Sequence, residues 1–424
     1  MWKEELANLR DLSQMNQSQG RTIRYAVAAV GALAILLFIG WLALREPPPP
    51  PPDIPPVRAI TVSPHVPMPA PGNAALHGTP SDPLAQSAVI PTNAATIYQQ
   101  AFALYDALSK EDKDLISYWQ TNVDASVEAE LCGRIQPICD LMQQATTATN
   151  CDWGVERLKY GSIMPYLDPS RHLARAAVWS ATHCRTNNAS VAVDDLLASS
   201  RLGQNVEIPP SVIGYLVNMS IQERVIKSAA MQASTLARDP RLVQLFNDAN
   251  YYAEFRRGLD QEAEISDQTA DAIAAMTTEE MMQLLNKALG GSSTNPLPTM
   301  DQAQTIAYLR QIAELQRQYA QTLELPEADY NKWLAGQTAF RQTNPFANIF
   351  FSTMGENMTK TQLFTVYNAM AAAGLAVVRE GMGALQLYTD PSTGLPFTYR
   401  QTADGYELES SFPFRGKPLK LSFK

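Results

Sequence analysis

Residues 168 to 203 read DPSRHLARAAVWSATHCRTNNASVAVDDLLASSRLG, and this stretch decides the fold. Asp168 and Pro169 are typical of a helix start, because a capping carboxylate precedes proline at the first helical position. Asn187 and Asn188 then break the chain. The apolar residues of the second half recur at helical spacing, at Val191, Leu196, Leu197 and Leu202. The stretch therefore predicts two helices joined by a short turn.

The same pattern continues over residues 93–388, which we interpret as a domain of stacked helical hairpins. Proline pairs and Asp-Pro steps mark the starts of further helices. We predict helices over 211–235, 240–264, 277–289, 301–323, 326–342 and 359–387. No repeat of fixed period is visible, which argues against a tetratricopeptide array. Within the last segment, residues 366–378 are apolar but too few to span a bilayer, so they predict a buried core helix whose Gly374 allows close helix–helix approach.

Residues 389–424 have a different pattern. The segments PFTYRQ and YELESS flank Ala403-Asp404-Gly405, and PLKLSF follows at 418–423. Alternating side chains around an Asp-Gly step predict a β-hairpin, to which PLKLSF adds a third strand. The expected fold class is therefore mainly α, with a small C-terminal β-hairpin appendage.

The composition excludes some classes of protein. The chain has 424 residues, of which 46% are hydrophobic, and a formal net charge of −9. An apolar fraction of this size is typical of a chain that buries a core, and an acidic balance argues against nucleic acid as a partner. The 29 prolines outnumber the 21 glycines, and many of them lie between Pro47 and Pro91.

The segment before these prolines predicts a membrane anchor. Residues 25–44 read YAVAAVGALAILLFIGWLAL without a charge, and twenty helical residues span about 30 Å, the thickness of the hydrocarbon core. The alternative, a cleaved signal peptide, has a shorter apolar region. Arginines are more frequent before the segment than after it, which places residues 1–24 in the cytoplasm and the remainder outside it. We therefore expect a single-pass protein of the inner membrane with a periplasmic domain.

Residues 45–92 are expected to form a proline-rich linker. Pro47 to Pro52 are six consecutive prolines, which favour polyproline II, a semi-rigid spacer. Recognition of the prolines by a partner is the alternative. His65 and His77 fall in this linker, where no rigid scaffold would position a catalytic group.

The four cysteines, Cys132, Cys139, Cys151 and Cys184, all fall in the predicted external region. An even number of cysteines in an oxidising compartment suggests two disulfides. We favour Cys132–Cys139 and Cys151–Cys184, because Pro137 is expected to bend the first pair together. Four buried free thiols are the alternative, and no CxxC spacing indicates zinc.

Two histidines lie in the folded body, His172 and His183. Their separation places them on one helix face with Trp179, but about 16 Å apart along the axis, too far to share a metal ion. Acidic pairs such as Asp194 with Asp195, and Glu262 with Glu264, are interpreted as solvated helix faces. No sequence motif of a hydrolase, a zinc protease or a nucleotide-binding loop occurs in the body, so we expect no catalytic residues, cofactor or metal.

Several segments together resemble a family of uncharacterised, membrane-anchored helical proteins frequent in planctomycetes and related bacteria. The matching stretches are Cys151-Asp152-Trp153, the helix pair above, PPSVIGYLVNMSIQERV, NPFANIF and DPSTGLPFTYRQTADGYELES. The last of these resembles the Asp-Pro…Gly…Tyr-Arg…Asp-Gly-Tyr element of pseudopilin-like proteins. The family's Tyr-Pro-x-x-Leu-x-x-Leu segment is missing before Asp390. The resemblance implies a fold and a membrane anchor but no catalytic residues.

Two functions are consistent with the sequence. The leading hypothesis is an envelope protein whose external helical domain binds another envelope protein as a scaffold, in envelope assembly or secretion. The alternative is an envelope hydrolase or small-ligand-binding protein with a cleft near His172, Trp179 and His183.

Overall fold

A computed structural model describes residues 93–118, 123–155, 158–159, 162, 164–289, 301–325, 327–414 and 417–424. The predicted cytoplasmic segment, anchor and linker (1–24, 25–44 and 45–92) lie outside the described residues. Within the described ranges the chain forms fourteen α-helices and one antiparallel three-stranded sheet. The predicted fold class, mainly α with a small C-terminal β element, is confirmed.

The helices follow one another with short connections. Their bounds are α1 Ala94–Ala107, α2 Lys110–Tyr118, α3 Ala125–Ala145, α4 Leu167–Trp179, α5 Ala189–Asn205, α6 Val212–Met231, α7 Ala233–Leu236, α8 Pro240–Asn247, α9 Tyr251–Ala274, α10 Thr278–Leu289, α11 Gln302–Thr322, α12 Glu327–Gly336, α13 Thr338–Thr343 and α14 Ala347–Glu380. A single π-helical turn, Ser180–Cys184, prolongs α4, and a 3₁₀ segment, Met382–Leu387, follows α14.

Side-chain caps explain where many helices begin. The capping residue accepts a hydrogen bond from a backbone N–H of the first turn, which otherwise has no partner. Caps of this kind are Asn93, Asp124, Asn188, Ser211, Asp239, Asn250 and Asp301. Asp168 does not act as one, contrary to the prediction. Helix α4 begins at Leu167, and Asp168 lies in its first turn, where a carboxylate interacts favourably with the helix dipole.

Four predicted helices have different bounds in the structure. The segment predicted over 211–235 is divided into α6 and the short α7. The segment predicted over 240–264 is divided into α8 and α9, because Asn250 caps a new helix with its side chain on the N–H of Ala253. The segment predicted over 326–342 is divided into α12 and α13. The last helix begins at Ala347 rather than 359 and ends at Glu380, where Gly381 adopts a φ of +85°.

Helices α4, α5 and α6 form an up–down–up stack. Tyr166, just before α4, donates a hydrogen bond to the carbonyl of Ile208, just before α6. Near the other ends of the two helices, the hydroxyls of Thr182 and Ser228 lie 3.0 Å apart. Since both starts and both ends are adjacent, α4 and α6 run parallel, with α5 packed against both. The hairpin predicted from residues 168–203 is thereby confirmed and extended by α6.

Helix α14 is the core helix of the C-terminal part. Residues 366–378 are mostly buried, as predicted. Within the described residues, 353–380 is the one stretch long and apolar enough to cross a membrane, and 72% of its most apolar window is buried inside the protein. Length and composition are shared by spanning helices and core helices, and the burial is that expected of a core helix.

The sheet comprises β1 Thr398–Thr402, β2 Gly405–Phe414 and β3 Lys417–Phe423 in the order β1-β2-β3. Thr402 pairs with Gly405, so Ala403 and Asp404 form the two-residue turn of the predicted hairpin. The third strand is also confirmed. Phe423 is buried against Gly374, where any Cβ would overlap its ring, so Gly374 allows close approach of the sheet and not of another helix.

Candidate functional site

His183 lies in the π-helical turn after α4 and is held by two contacts. Its ring stacks on Trp179, with centroids 4.5 Å apart. Its Nδ1 lies 3.1 Å from Oε1 of Glu128 on α3, while its Nε2 is buried without a hydrogen-bond partner. A carboxylate on Nδ1 orients the imidazole, as it does in a histidine base, but the buried Nε2 is closed to solvent.

His172 lies apart from this pair, near the start of α4. Its Nε2 is 3.4 Å from Oδ2 of Asp168, and its ring stacks on Tyr105 of α1. The hydrogen bond from His172 and the nearby arginine charges lower the pKa of Asp168. The structure therefore brings Trp179 and His183 together but places His172 in a different contact. Among the described residues no group of three or more His, Cys, Asp or Glu side chains is arranged to hold a metal ion.

The cysteines pair differently from the prediction. Cys132 of α3 forms a disulfide with Cys184, with the Cα atoms 5.5 Å apart, and Cys139 and Cys151 are buried free thiols. The favoured pairs Cys132–Cys139 and Cys151–Cys184 are wrong. Helix α3 continues through Pro137, so seven residues of helix separate the first pair by about 10 Å, beyond disulfide reach. Burial raises the pKa of Cys139 and raises that of Cys151 to about 12, so neither is a reactive thiolate.

The carboxylates of Glu207 and Glu254 lie close together below the surface, and the sequence did not indicate this pair. Asn218 of α6 donates from its Nδ2 to Oε1 of Glu207 at 2.6 Å and to Oε2 of Glu254 at 3.3 Å. Arg257 lies 3.8 Å from Glu207. Burial raises the pKa of both carboxyls, and the charge of Glu207 raises that of Glu254 further. Two carboxylates that share a site favour holding a proton between them.

The pair belongs to a polar network inside the helix stack. Gln222 donates to Oδ1 of Asn218 at 2.9 Å, and Ser200 donates to Gln222 at 2.9 Å. Gly203 makes room for this network, since a Cβ there would overlap Oδ1 of Asn218. Glu207 precedes a proline pair and Glu254 lies on a later helix, so no local spacing in the sequence could have found the pair.

The interpretation of the acidic pairs as solvated helix faces is wrong for Asp195. Its side chain is fully buried and accepts hydrogen bonds from Ser180 at 2.7 Å and Gln143 at 2.6 Å. Burial raises the pKa of Asp195, and burial likewise raises that of Glu262. Asp194, by contrast, forms a surface ion pair with Arg241 at 2.7 Å.

Two open depressions on the surface lie on either side of Arg241. One is lined by residues of α5, α7 and the start of α8, the other by residues of α3 and α5 including Gln143, Ser200 and Arg201. Neither is lined by His172, Trp179 or His183, so the predicted cleft near these residues is not among them.

No protein-family model matches the chain, and neither a curated protein nor a solved structure does. The family resemblance stays a prediction.

Proposed function

We propose that the chain is a single-pass envelope protein of the inner membrane, with a cytoplasmic N-terminus. Residues 25–44 anchor it, 45–92 hold the body off the membrane, and the external helical body binds another envelope protein as a scaffold. Its role lies in envelope assembly or secretion.

The observation that carries this proposal is the Cys132–Cys184 disulfide, which joins α3 to the turn after α4. Disulfides persist in oxidising compartments and are rare in the cytosol of mesophiles. The bond therefore supports an external position for the body, in agreement with the arginine distribution around residues 25–44.

Exposed apolar side chains near the end of α14 support a partner of protein nature. Leu387 is 78% exposed and Leu395 is 65% exposed. The bridge between Thr389 and Pro396 holds the two segments together. Exposed apolar side chains on neighbouring segments are candidates for contact with a partner.

Site-specific photo-cross-linking in intact cells tests the scaffold function. A photoreactive residue at position 387 or 395 should capture one reproducible envelope protein, and the same residue at Asp260, on the exposed face of α9, should not. Leu395→Asp should abolish capture from position 387. Equal capture at all three positions, or no capture at any, would contradict the proposal.

The alternative function, an envelope hydrolase, is favoured by one observation, the orientation of His183 by Glu128 with Nε2 unpartnered. A hydrolase that uses this histidine should lose activity on ester or amide substrates in His183→Gln and keep it in His172→Gln. If the two variants are equally active, the alternative fails.

A further inference from the structure

We propose that Arg171 and Arg175 of α4, together with Arg224 of α6, bind a phosphate group. This ligand site is independent of the scaffold function proposed above.

The stack of helices places the three guanidinium groups near one another. Arg171 and Arg175 are four residues apart on α4 and therefore occupy the same face. Arg224 lies one turn before Ser228, and Arg175 lies two turns before Thr182, the residue that meets Ser228. Since α4 and α6 run parallel, Arg224 is about one helical turn from the level of Arg175. Arg224 lies within electrostatic range of both other arginines.

None of the three arginines forms an ion pair or a hydrogen bond with any described residue. Nε of Arg171 and Nε of Arg175 are both buried without a hydrogen-bond partner. Other arginines of the described chain pair with carboxylates, namely Arg134, Arg241, Arg310 and Arg317. A buried donor without a partner costs free energy, so these two Nε groups at one place favour the binding of an acceptor.

Two acidic side chains lie within electrostatic range of these arginines, and each has another partner. Asp168 contacts His172 at 3.4 Å, and Glu223 pairs with Lys227 on the same face of α6. Burial and then the positive charge of Arg175 lower the pKa of Arg224, the charge of Glu223 opposes them, and Arg171 lowers it by a smaller amount. The positive charges therefore repel one another where no anion is bound.

The donor set fits a phosphate better than a carboxylate. A carboxylate has two oxygens in one plane and is satisfied by a single bidentate arginine. A phosphate offers three or more oxygens and close to two negative charges, which matches three guanidinium groups from two directions. Tyr105 of α1 lies in electrostatic contact with Arg175 and borders the same place.

Isothermal titration of the full chain in uncharged detergent, at constant ionic strength, tests the site. Inorganic phosphate should bind once per chain, and Arg224→Gln should weaken this binding by about ten-fold or more, as expected for charge-assisted hydrogen bonds. Arg310→Gln, which removes an exposed arginine paired with Asp271, is the matched control and should bind as the wild type does.

Thermal unfolding separates loss of binding from loss of folding. Without phosphate, Arg224→Gln should unfold at the same or a higher temperature than the wild type, because it relieves repulsion. Saturating phosphate should raise the unfolding temperature of the wild type and leave that of the variant unchanged. Arg171→Gln should behave in the same way, which covers the case in which Arg224→Gln fails to fold.

The source of the phosphate group is distinguished with soluble short-chain phosphatidic acid. Binding of this lipid alone would assign the site to a lipid headgroup, and binding of inorganic phosphate alone would assign it to free phosphate. The proposal is overturned if neither binds, if acetate binds as tightly as phosphate, or if Arg224→Gln and Arg310→Gln bind equally.

Discussion

At the scale of the residue, single side chains set both the helix starts and the buried polar contacts. Ser211 and Asp239 cap helices where the proline steps indicated a helix start. Adjacent residues on a helix point in different directions, so Asp194 can reach Arg241 while Asp195 faces the core. The partners of Asp195 and of Glu207 come from other helices, and only tertiary packing identifies them.

The carboxylate pair predicts a pH-dependent effect of Glu254→Gln. The pKa of Glu254 is raised in the folded protein, so the folded state favours the protonated form. This contribution to stability is present below the unfolded value of about 4.3 and is lost as the pH rises through the folded pKa. A neutral glutamine should therefore stabilise the protein at pH 8, by about 1 to 2 kcal/mol, and change its stability little at pH 5.

Thermal unfolding of the full chain at the two pH values measures this difference. Asp260→Asn, an exposed carboxylate on the same helix, should change stability equally at both. A stabilisation by Glu254→Gln that is the same at pH 5 and pH 8 would show that the carboxylates do not share a proton.

At the scale of the element, helices and strands could be predicted because their signals are local. The hairpin at 398–414 follows from alternation and a turn, and α5 and α6 follow from caps and apolar spacing. The docking of the sheet on α14 could not be predicted, because Gly374 and Phe423 meet only in the folded chain.

The contact between Phe423 and Gly374 predicts that alanine destabilises the protein at position 374 but not at position 355, another glycine of α14. Gly374→Ala would place a methyl group in the Phe423 ring, which is stacked on Tyr406 at 5.0 Å and cannot move freely. We expect a loss of about 1 to 3 kcal/mol. Gly355→Ala on the same helix meets no atom within 4 Å and should stabilise by up to about 1 kcal/mol. The two unfolding temperatures, relative to the wild type, check this, and a loss in both variants would contradict it.

The disulfide between α3 and the turn after α4 predicts a thiol count. Denatured protein should expose two thiols before reduction, those of Cys139 and Cys151, and four after it. Cys132→Ser should lower the free energy of unfolding by about 2 to 4 kcal/mol. Mass spectrometry after alkylation identifies the modified residues, and modification of Cys132 or Cys184 without reductant would exclude the bond.

At the scale of the whole molecule, the proposed topology predicts which residues a protease can reach. Protease added to spheroplasts should remove the body beyond residue 92 and leave a membrane-bound fragment that contains residues 1–44. An antibody against the body, compared before and after digestion, follows the removal. Full protection of the body in intact spheroplasts, followed by digestion after lysis, would reverse the orientation.

The strands of the sheet are synthesised after the helices on which they pack. Strand β3 supplies Phe423 to Gly374, and the backbone N–H of Lys424 bonds to the carbonyl of Ala230 in α6. Ribosomes release α6 and α14 well before β3, so the apolar surfaces that receive the sheet stay uncovered while the chain is still emerging. A body that crosses the membrane during synthesis would expose these surfaces to solvent until β3 docks. Messages truncated before codon 417 would yield a product with the same surfaces permanently open to proteases.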